Sequence, residues 1–293
     1  MTPDDIQRRW QAHQHARGAQ PLMRWLRWRV DRKRAKWLGK DVEREVELFW
    51  GQPMTVLHPE HVSNKLARFG YFERGLTQVL IQRLKPGMVM YDIGAHFGYF
   101  SLLGSALVGP GGQVFSFEPT DATHARLLTN ITRLDNVTPI KQAVYSETTE
   151  LVFCDMGEKD SSLNHIRAKG EGGTSAGEVR VPAVSLDDFV KVHRPPDFVK
   201  VDAEGAEYAI LQGMRGLLES RRPMITLEVG EYINQQTGNP PSRQSVDFLI
   251  DRGYAVFEFS DGAIRPHTPI DEYGYDNLLF CHPDGPGGAG RHA

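Results

Sequence analysis

Long apolar segments and cysteines are both scarce in this chain. No apolar run approaches the roughly 18 residues that a membrane-spanning helix needs. Cys154 and Cys281 are the only two cysteines among 293 residues, and their separation matches no metal-ligand spacing. Two cysteines provide no disulfide framework, so we expect a cytoplasmic protein. The 34 Lys and Arg residues against 37 Asp and Glu residues leave a formal net charge of −3. This balance does not favour nucleic acid as a partner.

Two common nucleotide-binding motifs are also missing. A dinucleotide fingerprint G-x-G-x-x-G that began at Gly94 would need glycines where His96 and Tyr99 stand. The phosphate-binding loop G-x-x-x-x-G-K-[ST] does not occur anywhere in the chain. The failed fingerprint weighs against a nicotinamide-dependent dehydrogenase, which would otherwise share the fold predicted below.

Residues 88–98 hold the most informative pattern that is present. An apolar run ends at Asp92, glycines bracket a turn, and an apolar segment at helical spacing follows. This pattern predicts a strand, a loop and a helix N-terminus, where glycines and unpaired N–H groups allow close approach of a ligand. The spacing D-x-G-x-x-x-G resembles the first motif of S-adenosylmethionine (AdoMet) methyltransferases. The residues expected to bind the cofactor in this loop are Asp92, Gly94, Ala95, His96 and Gly98.

The next two predicted strands end in residues suited to a nucleoside. Residues 113–119 read as a strand that ends at Glu118, because Pro119 prevents its continuation. An acid at a strand end, one crossover after Asp92, can bind two adjacent ribose hydroxyls. Gln142 and Ala143 end the third strand where an adenine edge would be read, and the small alanine leaves room for the ring.

Carboxylates at the ends of later strands are the candidates for chemistry. Asp202 follows the fourth strand and is also counted with the cofactor-binding residues; Glu204 comes next, and Glu228 ends the fifth strand. Methylation of an alcohol requires a group that takes up the hydroxyl proton. Asp202 and Glu204 are the first candidates, followed by Glu228 and by His165, because the ordinary pKa of histidine lies near neutrality. Acids in the first turn of a helix also have a structural role, and a loop histidine is often merely solvated. No metal is expected, although Asp202, Glu204 and Glu228 offer the oxygens that a divalent cation prefers.

Strands alternate with helices along most of the chain. This alternation predicts a doubly wound, mostly parallel α/β sheet, and the last two strands, with no helix between them, are expected to pair antiparallel. Ligands bind such sheets beyond the carboxyl ends of the strands. The residues predicted at those ends, and hence in one site, are Asp92, Glu118, Ala143, Asp202 and Glu228.

Three segments, residues 92–99, 117–119 and 199–207, together resemble the FkbM family of AdoMet-dependent methyltransferases. The most distinctive part is K-x-D-x-E-G-x-E, and the resemblance extends over roughly residues 50–283. It implies the class I methyltransferase fold, with a seven-stranded, mostly parallel sheet, one antiparallel strand and helices on both faces. It also implies AdoMet as the cofactor, with Glu73 among the residues that bind it. The expected reaction is O-methylation of hydroxyls, often on secondary metabolites or glycans. His96 stands where the family usually has asparagine.

The chain divides into three predicted parts. Residues 1–48 form a basic helical arm outside the resemblance, in which tryptophans alternate with Arg and Lys between residues 24 and 40. The arm is either a solvated helix packed on the domain through its tryptophans or a contact for an anionic substrate or membrane surface. Residues 49–283 form the methyltransferase domain with an inserted hairpin at about 150–184, whose polar middle we expect to contact the acceptor. Residues 284–293 are expected to be disordered.

We therefore expect an AdoMet-dependent O-methyltransferase that acts on a hydroxyl of a small molecule or saccharide. The alternative is a non-catalytic AdoMet-binding module whose basic arm recruits RNA, a glycan or a membrane. Sugar, polyketide, peptide and lipid hydroxyls all remain open as acceptors.

Overall fold

The computed structural model describes residues 1–15, 22–39, 41–155, 165–166, 177–231, 234–235, 239–260 and 262–288. Its main helices are α1 Pro3–His15, α2 Leu22–Leu38, α3 His61–Phe69, α4 Arg74–Arg83, α5 Tyr99–Val108, α6 Asp121–Ile131, α7 Leu186–Phe189, α8 Glu207–Gln212, α9 Arg215–Ser220 and α10 Ser242–Ile250. Its strands are β1 Val42–Glu47, β2 Pro53–His58, β3 Val89–Ile93, β4 Gln113–Phe117, β5 Val137–Ile140, β6 Ala143–Val144, β7 Thr149–Asp155, β8 His165–Ile166, β9 Gly177–Val184, β10 Phe198–Val201, β11 Met224–Val229, β12 Ala255–Ser260, β13 Ala263–Pro266 and β14 Asp276–Cys281.

A central sheet of eight strands runs in the order β13-β12-β14-β11-β10-β3-β4-β5. The five strands from β11 to β5 are parallel, and β14 lies antiparallel between β11 and β12. Every residue of β3 and β10 is buried, as expected for parallel strands covered on both faces. The predicted α/β architecture, with a mostly parallel sheet and antiparallel pairing of the last two predicted strands, is confirmed.

The predicted count of seven strands, with one antiparallel, is wrong. The additional strand, β13, forms an antiparallel hairpin with β12 at the edge of the sheet. Its four residues are exposed or half-buried and end in a proline. Such a short edge strand has no alternation of apolar and polar residues, so its pattern could not be recognised in the sequence.

Helices cover the central sheet on both faces, and each face has its own core. Side chains of α1, α3, α4, α5 and α6 pack on one face, and those of α7 to α10 pack on the other. From β3 the chain adds β4 and β5 toward one edge of the sheet, and from β10 it adds β11 toward the other edge. The topological switch point therefore lies between β3 and β10. The ends of β3 and β10 are therefore where a ligand is expected.

The first helix, α1, is packed on the domain. Ile6 and Trp10 are buried in the first core, where the Trp10 ring lies 4.9 Å from that of Phe49 and 5.1 Å from that of Tyr71. The Trp10 indole N–H also donates a hydrogen bond to Gln78. The antiparallel pair β1 and β2 follows α2. No helix in the described part of the chain is both long enough and apolar enough to cross a bilayer.

A second, smaller sheet occupies the region of the predicted insertion. β7 pairs antiparallel with β9 over its whole length, and β6 and β8 pair with β9 and β7 respectively. Residues 156–164 and 167–176, which contain most of the predicted acceptor-binding excursion, lie outside the described residues. Residues 284–288 of the predicted tail are described, and Asp284 there accepts a hydrogen bond from Arg222 at 2.7 Å. Residues 289–293 lie outside the described part.

Candidate active site

A cavity of about 820 Å³ opens at the carboxyl ends of the parallel strands. This size lies in the range of pockets that enclose a small molecule. Most of the predicted site residues line it: Glu73, Gly94, Ala95, His96, Glu118, Pro119, Gln142, Ala143, Asp202, Glu204 and Glu228. Asp92 and Gly98 are not among the lining residues, and the side chain of His165 lies outside the described part of the chain.

The turn after β3 brings backbone to the edge of the cavity. Gly94 has φ of 72°, and a Cβ at this position would collide with the backbone carbonyl of Asp202. Only glycine therefore allows β3 and β10 to approach each other here. His96 has φ of 51°, in the left-handed region where Asn, Asp and His are the enriched non-glycine residues. This conformation gives a physical reason why histidine can replace the asparagine that is usual in the family.

The His96 ring is an uncharged part of the cavity wall. It stacks on the Phe97 ring with centroids 4.0 Å apart, and burial lowers the pKa of His96 to about 3. The neutral imidazole adds a flat surface without adding a positive charge at neutral pH.

Glu118 is held in place by three hydrogen bonds. Its Oε2 accepts one from the His96 backbone N–H at 3.0 Å, and its Oε1 accepts two from Thr120, from Oγ1 at 2.9 Å and from the backbone N–H at 3.3 Å. Burial raises the pKa of Glu118 to about 7, although these hydrogen bonds lower it in part. The carboxyl is thus oriented and faces the cavity at the end of β4.

Asp92 lies beneath the cavity and is completely buried. Its Oδ2 accepts a hydrogen bond from Ser101 Oγ at 2.6 Å, and its Oδ1 is 3.3 Å from the Lys200 ammonium. Asp92 therefore acts on the cavity through Lys200, rather than as the direct ligand contact that its position in the sequence indicates.

Lys200 is a functional candidate that was not among the predicted site residues. It is buried in β10, and its ammonium is 3.1 Å from Asp202 Oδ2 and 3.1 Å from the Gly94 carbonyl oxygen. Burial alone would lower the pKa of Lys200, but the carboxylates of Asp202 and Asp92 raise it above its ordinary value. A lysine within a strand whose other residues are apolar was an available signal, since buried lysines are almost always paired.

Three carboxyl groups meet at the ends of β10 and β11. One oxygen from each of Asp202, Glu204 and Glu228 lies within 4.8 Å of the others. Burial, and after it the charge of Asp202, raises the pKa of Glu204 to about 9 and raises that of Glu228 well above its ordinary value. With a pKa of about 9, Glu204 holds a proton near neutrality and can donate a hydrogen bond, whereas Asp202 has a counter-charge in Lys200.

Glu73 enters the same wall from the start of α4. Its carboxylate accepts a hydrogen bond from the Tyr275 hydroxyl, and burial together with Asp202 raises the pKa of Glu73 to about 7. Tyr275 was missed in the sequence because it precedes a strand rather than following one. β14 is antiparallel, and Asp276 at its start lies opposite Val229 at the end of β11, so Tyr275 arrives at the rim from the other direction.

The fold is that of the class I AdoMet-dependent methyltransferases, with a mostly parallel sheet and an antiparallel strand, β14, beside β11. The switch point between β3 and β10, the glycine turn and the acid at the end of β4 lie together, at the place where sheets of this kind bind ligands. The chain belongs to the FkbM methyltransferase family: the model of the methyltransferase FkbM domain matches residues 92–265.

Several known proteins are similar to this chain. Hexuronic acid methyltransferase AglP of Haloferax volcanii is 28% identical over 152 residues, which span 50% of this chain and 59% of that protein. A methyltransferase FkbM structure from Methylobacillus flagellatus KT has a TM-score of 0.40 and 17% identity, covering 74% of this chain and 52% of that one. An O-methyltransferase structure from Thermotoga maritima has a TM-score of 0.41 and 11% identity, covering 84% and 80%. The chain thus spans little more than half the length of the first two.

Proposed function

We propose that this chain transfers a methyl group from AdoMet to a hydroxyl group of a saccharide. The observation that carries the proposal is the meeting of Asp202, Glu204 and Glu228 at one end of the cavity, paired with Lys200, while Glu118 occupies another part of its wall. The hexuronic acid methyltransferase to which the chain is similar supports a saccharide as the acceptor class.

The residues that line the cavity fit AdoMet. Glu118 offers an oriented carboxyl group for the ribose hydroxyls, and Gln142 and Ala143 line the same cavity for the adenine. Two carboxylates, those of Asp92 and Asp202, approach the single buried ammonium of Lys200, and this excess of negative charge complements a cationic ligand. When bound, AdoMet supplies a methyl group activated on a sulfonium, so the protein needs to orient the acceptor and remove its proton.

Asp202 is the proposed general base. Its carboxylate is stabilised by Lys200 at 3.1 Å, and its side chain is 22% exposed, so that a proton can pass to solvent. Asp202 would take the proton of the acceptor hydroxyl, while bound AdoMet would supply the methyl group and keep the electron pair of the broken bond on its sulfur. A positioned base of this kind contributes about 10²–10⁴-fold to the rate.

The remaining wall complements a polyhydroxylated ring. Protonated Glu204 donates a hydrogen bond, whereas Asp202 accepts one, so neighbouring hydroxyls find both kinds of partner. Aromatic rings and two cations complete this wall, and the cations suit the carboxylate of a uronic acid. These residues are Phe69, Tyr71, Phe72, Lys65 and Arg74.

The experiment is methyl transfer from labelled AdoMet to paired acceptors: glycosides of a hexuronic acid, of the matching hexose, and of deoxy analogues. We expect a product heavier by one CH2 group whose methyl resists mild alkali, because an ether resists it and a methyl ester does not. A methyl group released by alkali would assign transfer to a carboxylate and overturn the hydroxyl assignment. AdoMet binding without transfer to any hydroxylated acceptor would instead favour the non-catalytic module.

A further inference from the structure

The outward face of α2 carries an apolar stripe that no other described part of the chain covers. Leu26, Val30 and Trp37 are 41%, 61% and 85% exposed. They follow one another at steps of four and seven residues, so they lie along one side of the helix. Three of the eight large apolar side chains that are exposed in the described residues therefore share a single helix face.

The opposite face of α2 is fixed to the domain. Arg24 Nε donates a hydrogen bond to the Ala67 carbonyl at 3.0 Å, and Trp28 Nε1 donates one to Asn64 Oδ1 at 3.3 Å. Asp31 is buried and accepts a hydrogen bond from Arg44 Nε at 2.9 Å. Because these contacts hold α2 by one side, the apolar stripe cannot turn inward without breaking them.

Basic residues surround the apolar stripe. Arg27, Arg29, Arg32, Lys33 and Arg34 are all exposed. The one acid of α2, Asp31, is already paired with Arg44, so the surface of the helix is positive in a chain whose formal net charge is −3. The outward surface of α2 thus presents a tryptophan and two aliphatic side chains among positive charges, a combination that complements an anionic membrane interface.

We propose that α2 docks on an anionic membrane surface. Leu26, Val30 and Trp37 enter the boundary between headgroups and acyl chains, and the surrounding basic residues contact anionic headgroups. An RNA partner would also meet the positive charges, but it would leave the aliphatic stripe exposed to water. The proposal concerns the location of the chain and does not depend on the acceptor that it methylates.

Docking of α2 would also set the orientation of the cavity. α2 packs on α3, and His61, Val62, Lys65 and Phe69 of α3 line the cavity. The membrane surface would therefore be separated from the cavity by the thickness of α2 and α3, about two helix diameters or roughly 20 Å at most.

The test is co-sedimentation of the full chain with vesicles of phosphatidylcholine alone or mixed with phosphatidylglycerol, at low and high salt. We expect binding to the anionic vesicles only, with a blue shift of tryptophan emission, and weaker binding at high salt. Trp37→Ala combined with Val30→Ser should weaken binding by about tenfold, and Arg29→Glu combined with Lys33→Glu by more than about tenfold.

Matched controls separate docking from general effects. Val192→Ser changes an apolar side chain that is 80% exposed elsewhere, and Arg133→Glu reverses an exposed charge outside α2; both should bind as the unaltered chain does. AdoMet binding should be equal in all variants, which shows that they are folded. No binding of the unaltered chain to anionic vesicles at low salt overturns the proposal. Unchanged binding of Trp37→Ala with Val30→Ser, or tighter binding to single-stranded RNA than to vesicles, does so too.

Discussion

Glu118 and Asp202 both line the cavity at the ends of parallel strands, yet their surroundings differ. Glu118 is surrounded by hydrogen-bond donors from His96 and Thr120, with no charged group within ion-pair distance among the described residues. Asp202 faces an ammonium on one side and two other carboxyl groups on the other. The same chemical group can therefore serve as an oriented binding contact in one place and as a proton acceptor in another, because its neighbours decide which form is favoured.

Replacement of the proposed base should have the largest effect. Asp202→Asn keeps the shape of the side chain but removes its charge, so we expect kcat to fall by about 10²–10⁴-fold. AdoMet affinity, measured by calorimetry, should change much less. Glu204→Gln is the matched control and should reduce kcat by a smaller factor, since Glu204 holds a proton near neutrality. Full activity of Asp202→Asn would show that Asp202 is not the base, and the proposed difference in role between Asp202 and Glu118 would then be wrong.

Glu118→Gln should show the reciprocal pattern. Loss of a charge-assisted contact with the ribose costs about 1.5–3 kcal/mol, so the Kd for AdoMet should rise by roughly 10- to 100-fold. At saturating AdoMet, kcat should stay close to that of the unaltered chain. A fall in kcat without a change in Kd would place Glu118 in the reaction instead of in cofactor binding.

The affinity for AdoMet should depend on pH through Glu118. Burial raises the pKa of this group to about 7, so it is protonated below that pH and ionised above it. The ionised form accepts hydrogen bonds from both ribose hydroxyls, so affinity should rise from pH 6 to pH 8, by at most about tenfold per unit. The slope should be smaller in Glu118→Gln. If the two slopes are equal, another group is responsible for the pH dependence.

Chelation should have the smallest effect. Lys200 already supplies a positive charge to Asp202, and Glu204 holds a proton near neutrality, so EDTA should leave the rate of methyl transfer unchanged. The measurement is the initial rate before and after chelation, with Mg²⁺ added back. A loss of rate that Mg²⁺ restores would assign Asp202, Glu204 and Glu228 to a metal site.

Local patterns in the sequence were sufficient for the parts of the fold that depend on near neighbours. The strand, turn and helix around Gly94 follow from an apolar run and from glycine conformations, and β4 ends where Pro119 follows it. The edge strand β13 was not predictable in this way, because its four residues carry no regular pattern and its pairing with β12 decides its conformation.

The class of fold, the family and the acids near the ends of the parallel strands could all be inferred from local residue patterns. Which of these acids face the cavity depends on how the strands pack against one another. Tertiary packing buried Asp92 beneath Lys200, and it brought Tyr275 to Glu73 from the start of an antiparallel strand. The reason is physical: a strand end follows from residues a few positions away, but the role of a carboxyl group depends on charges and donors about 3 Å away that other strands supply.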